Sequence, residues 1–145
     1  MHIRKAILSD AGSVRDLETK VWLDEVTSAW DIGTFVRCGY VYVACLDSSI
    51  VGAIVAIQHR CAYLYVVGLL VEPTMRRKGI GERLYKRVLH HAHRVSSGRV
   101  ETHVGISSGA SVALHKKLGF RVIRQETDVY GLQEKDEARL LMRYG

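Results

Sequence analysis

The sequence predicts an α/β domain on a mixed sheet, and three observations predict it. Apolar runs rich in β-branched and aromatic residues recur along the chain. Three stretches between them carry apolar residues at helical spacing. One segment, from Tyr63 to Gly105, reads strand, helix, strand, which closes as a right-handed crossover with its two strands parallel. With 145 residues, one proline (Pro73) and no repeat or low-complexity tract, residues 1–145 are expected to form a single domain. A chain of this size buries roughly 68–70% of its unfolded surface, so its core needs no disulfide staples.

Taken in order, Ile3 to Ile7 is a short strand. Ser9 or Asp10 then caps a first helix whose apolar face is Val14, Leu17 and Val21, with Trp22 beside it. Gly39 to Leu46 and Ile50 to Gln58, joined by Asp47-Ser48-Ser49, form a hairpin. Tyr63 to Val71 is a third strand, and Gly68 within it marks a bulge or a close backbone approach. Pro73 ends that strand, because it donates no ladder bond and holds Glu72 extended. From Ile80 a helix of about four turns turns Leu84, Val88 and Ala92 inward, supported by Tyr85, Leu89 and Val95. Arg99 to Gly105 alternates as a strand, Ser111 to Leu118 is a short helix ending at Gly119, and strands at Phe120 to Thr127 and Ala138 to Tyr144 complete the sheet.

Composition narrows the function. The longest nearly uncharged apolar stretch, Tyr63 to Val71, has nine residues, against roughly 20 for a helix that spans a bilayer. Met1-His2-Ile3-Arg4-Lys5 leads to Ser9-Asp10 rather than to an apolar signal region. Cys38, Cys45 and Cys61 are an odd set without C-x-x-C spacing. They read as reduced, mostly buried thiols, so a cytoplasmic protein without membrane partners is expected. His90, His91 and His93 lie on a basic helix with no Cys or carboxylate cluster beside them, so no metal is expected. The formal charge of +6 is concentrated between Met75 and Val100, where Arg76, Arg77, Lys78, Arg83, Lys86, Arg87, Arg94 and Arg99 face one acid, Glu82.

The most informative segment is Val71-Glu72-Pro73-Thr74-Met75-Arg76-Arg77-Lys78-Gly79-Ile80-Gly81. An apolar strand runs into a basic, glycine-containing loop that opens a helix, whose first N–H groups lack internal acceptors. Those donors, the positive end of the helix dipole and the side-chain-free Gly79 and Gly81 suit a phosphate or pyrophosphate. Neither G-x-x-x-x-G-K-[ST] nor G-x-G-x-x-G is present.

This segment resembles the acetyl-coenzyme A signature of the GNAT superfamily of N-acetyltransferases, V-x-P-x-x-R-x-x-G-x-G. Ser108-Gly109-Ala110-Ser111-Val112-Ala113-Leu114-His115-Lys116-Lys117-Leu118-Gly119-Phe120 is similar to the later family motif N-x-x-A-x-x-L-Y-x-K-L-G-F. The opening I-R-x-A, the strand at Gly52 and the late strand at Met142 extend the likeness over nearly the whole chain, toward the ribosomal-protein and N-terminal acetyltransferase branch. The resemblance implies a mixed, mostly antiparallel sheet of six or seven strands, helices on both faces, and a splayed central parallel pair that holds the pantetheine arm. It implies acetyl transfer from acetyl-CoA to a primary amine (a peptide N-terminus, a lysine or a small amine) by direct attack in a ternary complex. Backbone groups at Leu69, Leu70 and Val71 would hold acetyl and pantetheine; Arg76, Arg77, Lys78, Gly79, Ile80 and Gly81 would hold pyrophosphate. Two slots depart from the pattern: the family's asparagine falls on Ser108, and its tyrosine, often the acid facing the sulfur, falls on His115. The resemblance also leaves a homodimer through the apolar last strand open.

Transfer to an amine whose pKa is near 10.4 requires a base at neutral pH. His103 occupies the strand position of a glutamate base in that branch, and Glu101 lies two residues earlier on the same face. Glu72 is a poorer candidate, and Tyr130 is a further hydrogen-bond donor near the acceptor end. Trp22, Asp24, Glu25 and Trp30 fall in the first helical region, which borders the acceptor in relatives. Two competing readings remain: a non-catalytic acyl-CoA-binding or sensor domain, suggested by the Ser108 and His115 departures, and a nucleic-acid-binding module. The basic helix lacks an aromatic platform, and a phosphate-rich cofactor accounts for its charge, so nucleic acid is not expected.

Overall fold

The computed structural model describes residues 1–22, 29–131 and 138–145. The described elements are β1 (His2–Lys5), α1 (Ala11–Trp22), α2 (Ala29–Cys38), β2 (Tyr40–Leu46), β3 (Ser49–Gln58), β4 (Leu64–Val71), α3 (Ile80–Val95), β5 (Val100–Gly105), α4 (Gly109–Leu118), β6 (Arg121–Glu126) and β7 (Arg139–Tyr144). The strands form one seven-stranded sheet in the order β1-β2-β3-β4-β5-β7-β6. Only β4 and β5 pair in parallel; the other neighbours are antiparallel.

Period-two alternation divides the core between two faces. Val41, Val43, Ala53, Val55 and Leu70 pack with Val14 and Leu17 of α1 and Ile32 of α2. Tyr42, Ala44, Ile54, Ala56, Leu64 and Val66 pack with Ile80, Leu84, Tyr85, Val88 and Ala92 of α3. Close approach of α3 requires Gly52, where a Cβ would lie 2.9 Å from Ile80 Cγ2. Asp47 and Ser48 take positive φ values of 47° and 70°, the two-residue turn that suits the twist of the β2–β3 hairpin.

The structure revises several expectations. Strand β1 ends at Lys5 rather than Ile7, because Leu8 to Asp10 wind into a 3-10 turn that leads into α1. Asp10 holds that turn: its Oδ2 accepts the Ile7 N–H at 2.8 Å and its carboxylate takes both Arg4 nitrogens, at 2.7 and 3.0 Å. The single helical region before β2 contains a separate α2, whose Ile32, Phe35 and Val36 face the sheet. Of the three free cysteines only Cys45, inside β2, is buried. Cys38 ends α2 and Cys61 lies between β3 and β4; both sit beside apolar runs rather than within them, and both are exposed.

Two irregularities of β4 shape the site. Ala56 pairs with Val66 but Val55 with Gly68, so Val67 is an extra residue and the strand bulges beside the glycine. Parallel pairing with β5 stops at Val66↔Thr102, although β4 continues to Val71 and β5 to Gly105. The two strands part beyond that point, and the Thr102 hydroxyl donates to the Val66 carbonyl at 2.9 Å at the apex. Among the described residues, no helix is long and apolar enough to cross a membrane.

Candidate active site

A cleft of about 710 Å³ opens where β4 and β5 diverge. Its floor is β4 from Tyr65 to Leu70 and β5 from Thr102 to Gly105. Glu18 and Trp22 of α1 with Ile32 and Phe35 of α2 form one wall; Tyr85 of α3 with Ser108, Ser111 and His115 form the other. Trp22 lies over the bulge, where a Cβ on Gly68 would stand 3.5 Å from the indole. Leu69 and Leu70 line this cleft, and Val71 carries the strand out of it.

The β4 edge beyond Val66 turns toward the gap rather than toward a strand, so its backbone polar groups can meet an extended, amide-bearing arm. At the end of β4 the chain passes through Arg76, Arg77 and Lys78, all exposed, into α3. Gly79 caps that helix at φ +77°, with nothing within 4 Å of where a Cβ would stand. The first-turn N–H groups have no acceptor within the helix. Ile80 is buried and anchors the turn against Gly52, while a Cβ on Gly81 would meet Leu69 at 3.2 Å and Leu114 at 3.5 Å. The glycine pair therefore combines an open approach at 79 with tight packing of α3 on β4 and α4 at 81. A cationic loop, free helix donors and an unpaired strand edge in series fit a coenzyme A ester.

The candidate proton-handling residues separate into three environments. Glu101 is buried, and its Oε2 accepts from Arg99 Nε at 2.9 Å, Arg99 Nη2 at 2.5 Å and Arg143 Nε at 2.6 Å. Burial alone would raise its pKa, but the two guanidiniums outweigh it and hold the carboxyl below the ordinary range. It does not line the cleft.

His115 is buried in the α3–α4 wall. Its Nδ1 lies 2.6 Å from the Ser111 carbonyl, which can only accept, so Nδ1 carries the proton. In the neutral ring Nε2 is then an acceptor, and it takes the Tyr85 hydroxyl at 2.6 Å. Burial pushes the imidazole pKa down, with the Ser111 carbonyl partly opposing. The neutral ring thus has its one N–H engaged. Ser108 is exposed at the start of α4, lines the cleft, and uses its carbonyl to accept the Val112 N–H at 2.9 Å.

His103 lies on the cleft floor with its side chain 11% exposed. Tyr65, across the parallel pair, puts its hydroxyl 2.6 Å from Nδ1, and Glu126 of β6 lies 3.3 Å from Nε2. Burial, followed by contacts with Tyr130 and Glu126, drives the Tyr65 phenol well above its usual pKa, with Arg139 partly offsetting. Tyr130 stands at the mouth, its ring 6.5 Å from His103 and beneath the Arg139 guanidinium at 5.1 Å.

The remaining candidates disperse. Glu72 pairs with Lys20 at 3.0 Å. Trp30 is 87% exposed on α2, and Asp24 and Glu25 lie outside the described residues. His90, His91 and His93 form no metal-binding group among the described residues. Tyr65, Glu18 and Glu126 were not singled out by the sequence; Tyr65 sits in an apolar run, and nothing local distinguishes its ring from a packing aromatic.

A model of the Acetyltransferase (GNAT) family matches residues 8–120. The uncharacterized N-acetyltransferase YvbK of Bacillus subtilis (strain 168) is 23% identical over 122 residues, 77% of this chain and 79% of YvbK. The ribosomal-protein-alanine N-acetyltransferase of Brucella melitensis superposes with a TM-score of 0.84 at 18% identity, covering 99% of each chain. The structure of yncA from Salmonella typhimurium with its cofactor acetyl-CoA superposes with a TM-score of 0.83 at 20% identity, over 99% of this chain and 92% of that one. The splayed β4–β5 pair, the basic loop before α3 and the match over most of the chain lead to one assignment: this protein belongs to the GNAT acetyltransferase family.

Proposed function

We propose that the protein transfers the acetyl group of acetyl-CoA directly to a primary amine in a ternary complex. The observation that carries this reading is the Tyr65–His103 pair, joined at 2.6 Å on the floor of the gap between β4 and β5. Bound acetyl-CoA supplies an activated thioester. The exposed Arg76, Arg77 and Lys78 with the N–H groups around Gly79 to Gly81 would hold its pyrophosphate, and the free edge at Leu69 to Val71 its pantetheine arm. Ser108 offers a hydroxyl from the opposite wall.

The protein's own work is to position the amine and remove its proton. His103 is the base in this reading, reached directly or through the Tyr65 hydroxyl. Glu101 holds Arg99 and Arg143 in place, and His115 orients the Tyr85 hydroxyl. A thiolate with pKa near 8.5 leaves without strong acid help, so an α4 tyrosine is not indispensable. The aromatic wall of Trp22 and Phe35, with Glu18 behind it, bounds the acceptor.

The test is thiol release from acetyl-CoA, read with a thiol reagent, across N-terminal peptides, lysine peptides, polyamines, aminoglycosides and amino acids. Turnover with one class establishes the transferase and names its acceptor. Tight acetyl-CoA binding without turnover on any class would replace this reading with a sensor domain.

A further inference from the structure

We infer that Glu126 is a positioning residue that fixes the tautomer of His103 and so turns Tyr65 and His103 into a directed proton relay. The inference rests on His103 being the base. A carboxylate can only accept, so the 3.3 Å contact between Glu126 Oε1 and His103 Nε2 places the ring proton on Nε2. In the neutral ring Nδ1 is then bare, and the Tyr65 hydroxyl, 2.6 Å away, must donate to it. Every hydrogen bond in the chain runs the same way, from Tyr65 through His103 to Glu126.

That direction decides what Tyr65 can do. Its hydrogen points at His103, so its oxygen, with Tyr130 beside it, is the atom that takes a proton arriving from the cleft. Burial strongly disfavours a phenolate there, so the oxygen does not act as a lasting base. As the amine attacks, its N–H bond breaks and the proton joins the Tyr65 oxygen. The original Tyr65 proton passes at the same time to His103 Nδ1. The products of the relay are a neutral tyrosine and an imidazolium facing the Glu126 carboxylate; the imidazolium returns its proton to water between turnovers. This is the logic of a nucleophile or base, a histidine and an orienting carboxylate, with a tyrosine in the first place.

The surroundings are consistent with a shared orienting role for Glu126. Arg124 Nε holds the same Oε1 at 3.3 Å, and Arg139 is the cross-strand neighbour of Glu126. The other charged or titratable groups around His103 are Tyr130 at the mouth, Glu18 across the cleft, and Glu101, which is engaged by Arg99 and Arg143. Among the described residues, the hydrogen-bond partners of the His103 nitrogens are Tyr65 on Nδ1 and Glu126 on Nε2. The tautomer therefore rests on Glu126.

The tautomer is readable without turnover, by long-range proton–nitrogen NMR of the ring in the free protein. The native protein is expected to show His103 protonated on Nε2. Glu126→Leu should lose that single form and lower kcat roughly tenfold with little change in acceptor KM, whereas Glu126→Gln, which still offers an acceptor oxygen, should keep the Nε2–H form and most of the rate. Protonation on Nδ1 in the native protein, or a tautomer and rate both indifferent to Glu126→Leu, would overturn the inference. His103→Ala separates the two levels: full turnover there removes the base reading and the relay with it. Loss of turnover there, together with indifference to Glu126→Leu, removes only the role of Glu126.

Discussion

Glu101 and His103 stand two residues apart on β5 and differ in how their surroundings use them. Glu101 is enclosed by two guanidiniums and stays outside the cleft lining, whereas His103 lines the cleft between a hydroxyl and a carboxylate. Because its folded pKa is depressed, Glu101 contributes stability above the ordinary carboxylate range and loses it as pH falls through its folded pKa. Glu101→Gln is expected to cost about 3 kcal/mol in urea denaturation at pH 7, since it leaves Arg143 without its anion. A loss under about 1 kcal/mol would mean the cluster behaves like a solvated surface pair. At this scale the sequence marks His103 and Glu101 as candidates but cannot rank them. The deciding partners lie on other strands: Tyr65 is 38 residues from His103, Arg143 is 42 from Glu101, and Glu126 is 23 from His103. His115 is likewise legible as a departure from the family tyrosine, but its engagement by Ser111 and Tyr85 needs the packing of α3 against α4.

Among the elements, α3 was the most legible, because its buried residues recur at 3.6-residue spacing over sixteen residues and its start is marked by Gly79. Helix α2 was not separated from α1. Ile32, Phe35 and Val36 carry the right spacing, but Gly33 and the short span weaken the pattern against neighbouring polar residues. The bulge was legible only as an ambiguity at Gly68; the extra residue is Val67, which follows from its register against β3 rather than from its own chemistry. The helix–strand contact that sets the loop can be tested directly. A methyl at position 52 would press on Ile80 Cγ2 at 2.9 Å and Leu84 Cδ1 at 3.1 Å. Gly52→Ala is expected to destabilise by roughly 1–3 kcal/mol and to weaken acetyl-CoA binding, read by thermal denaturation and a binding isotherm. An unchanged melting temperature would mean that α3 can move off the sheet without cost.

For the whole molecule, buried His115 and half-buried His91 both lie on the α3 side of the sheet, and this sets a pH dependence. Burial lowers the pKa of His115; burial, then Arg94, Lys5 and His90, lowers that of His91. Both rings stay neutral to lower pH in the fold than in the unfolded chain, which protonates near pH 6.5. The unfolded state therefore binds more protons below that value, and stability falls as pH drops through it; Asp10, held low by its hydrogen bonds from Arg4, and Glu101 add losses at more acid pH. The urea midpoint should be flat from about pH 8 to 7 and decline below about 6.5, with a shallower decline in His115→Gln; a midpoint constant down to pH 5.5 would contradict this assignment. The parting of β4 from β5 has a consequence for hydrogen exchange and for solubility. A sheet normally ends in edges that face solvent and invite another chain to add to them, whereas this fold places an open edge in its middle, walled by α1 and α4. The helices on either side cover that edge, so it is less open to the addition of another chain than an outer strand would be. Amides from Leu69 to Val71 that point into the gap should exchange rapidly in the free protein and slow markedly with acetyl-CoA, as though a further strand had been laid into the sheet.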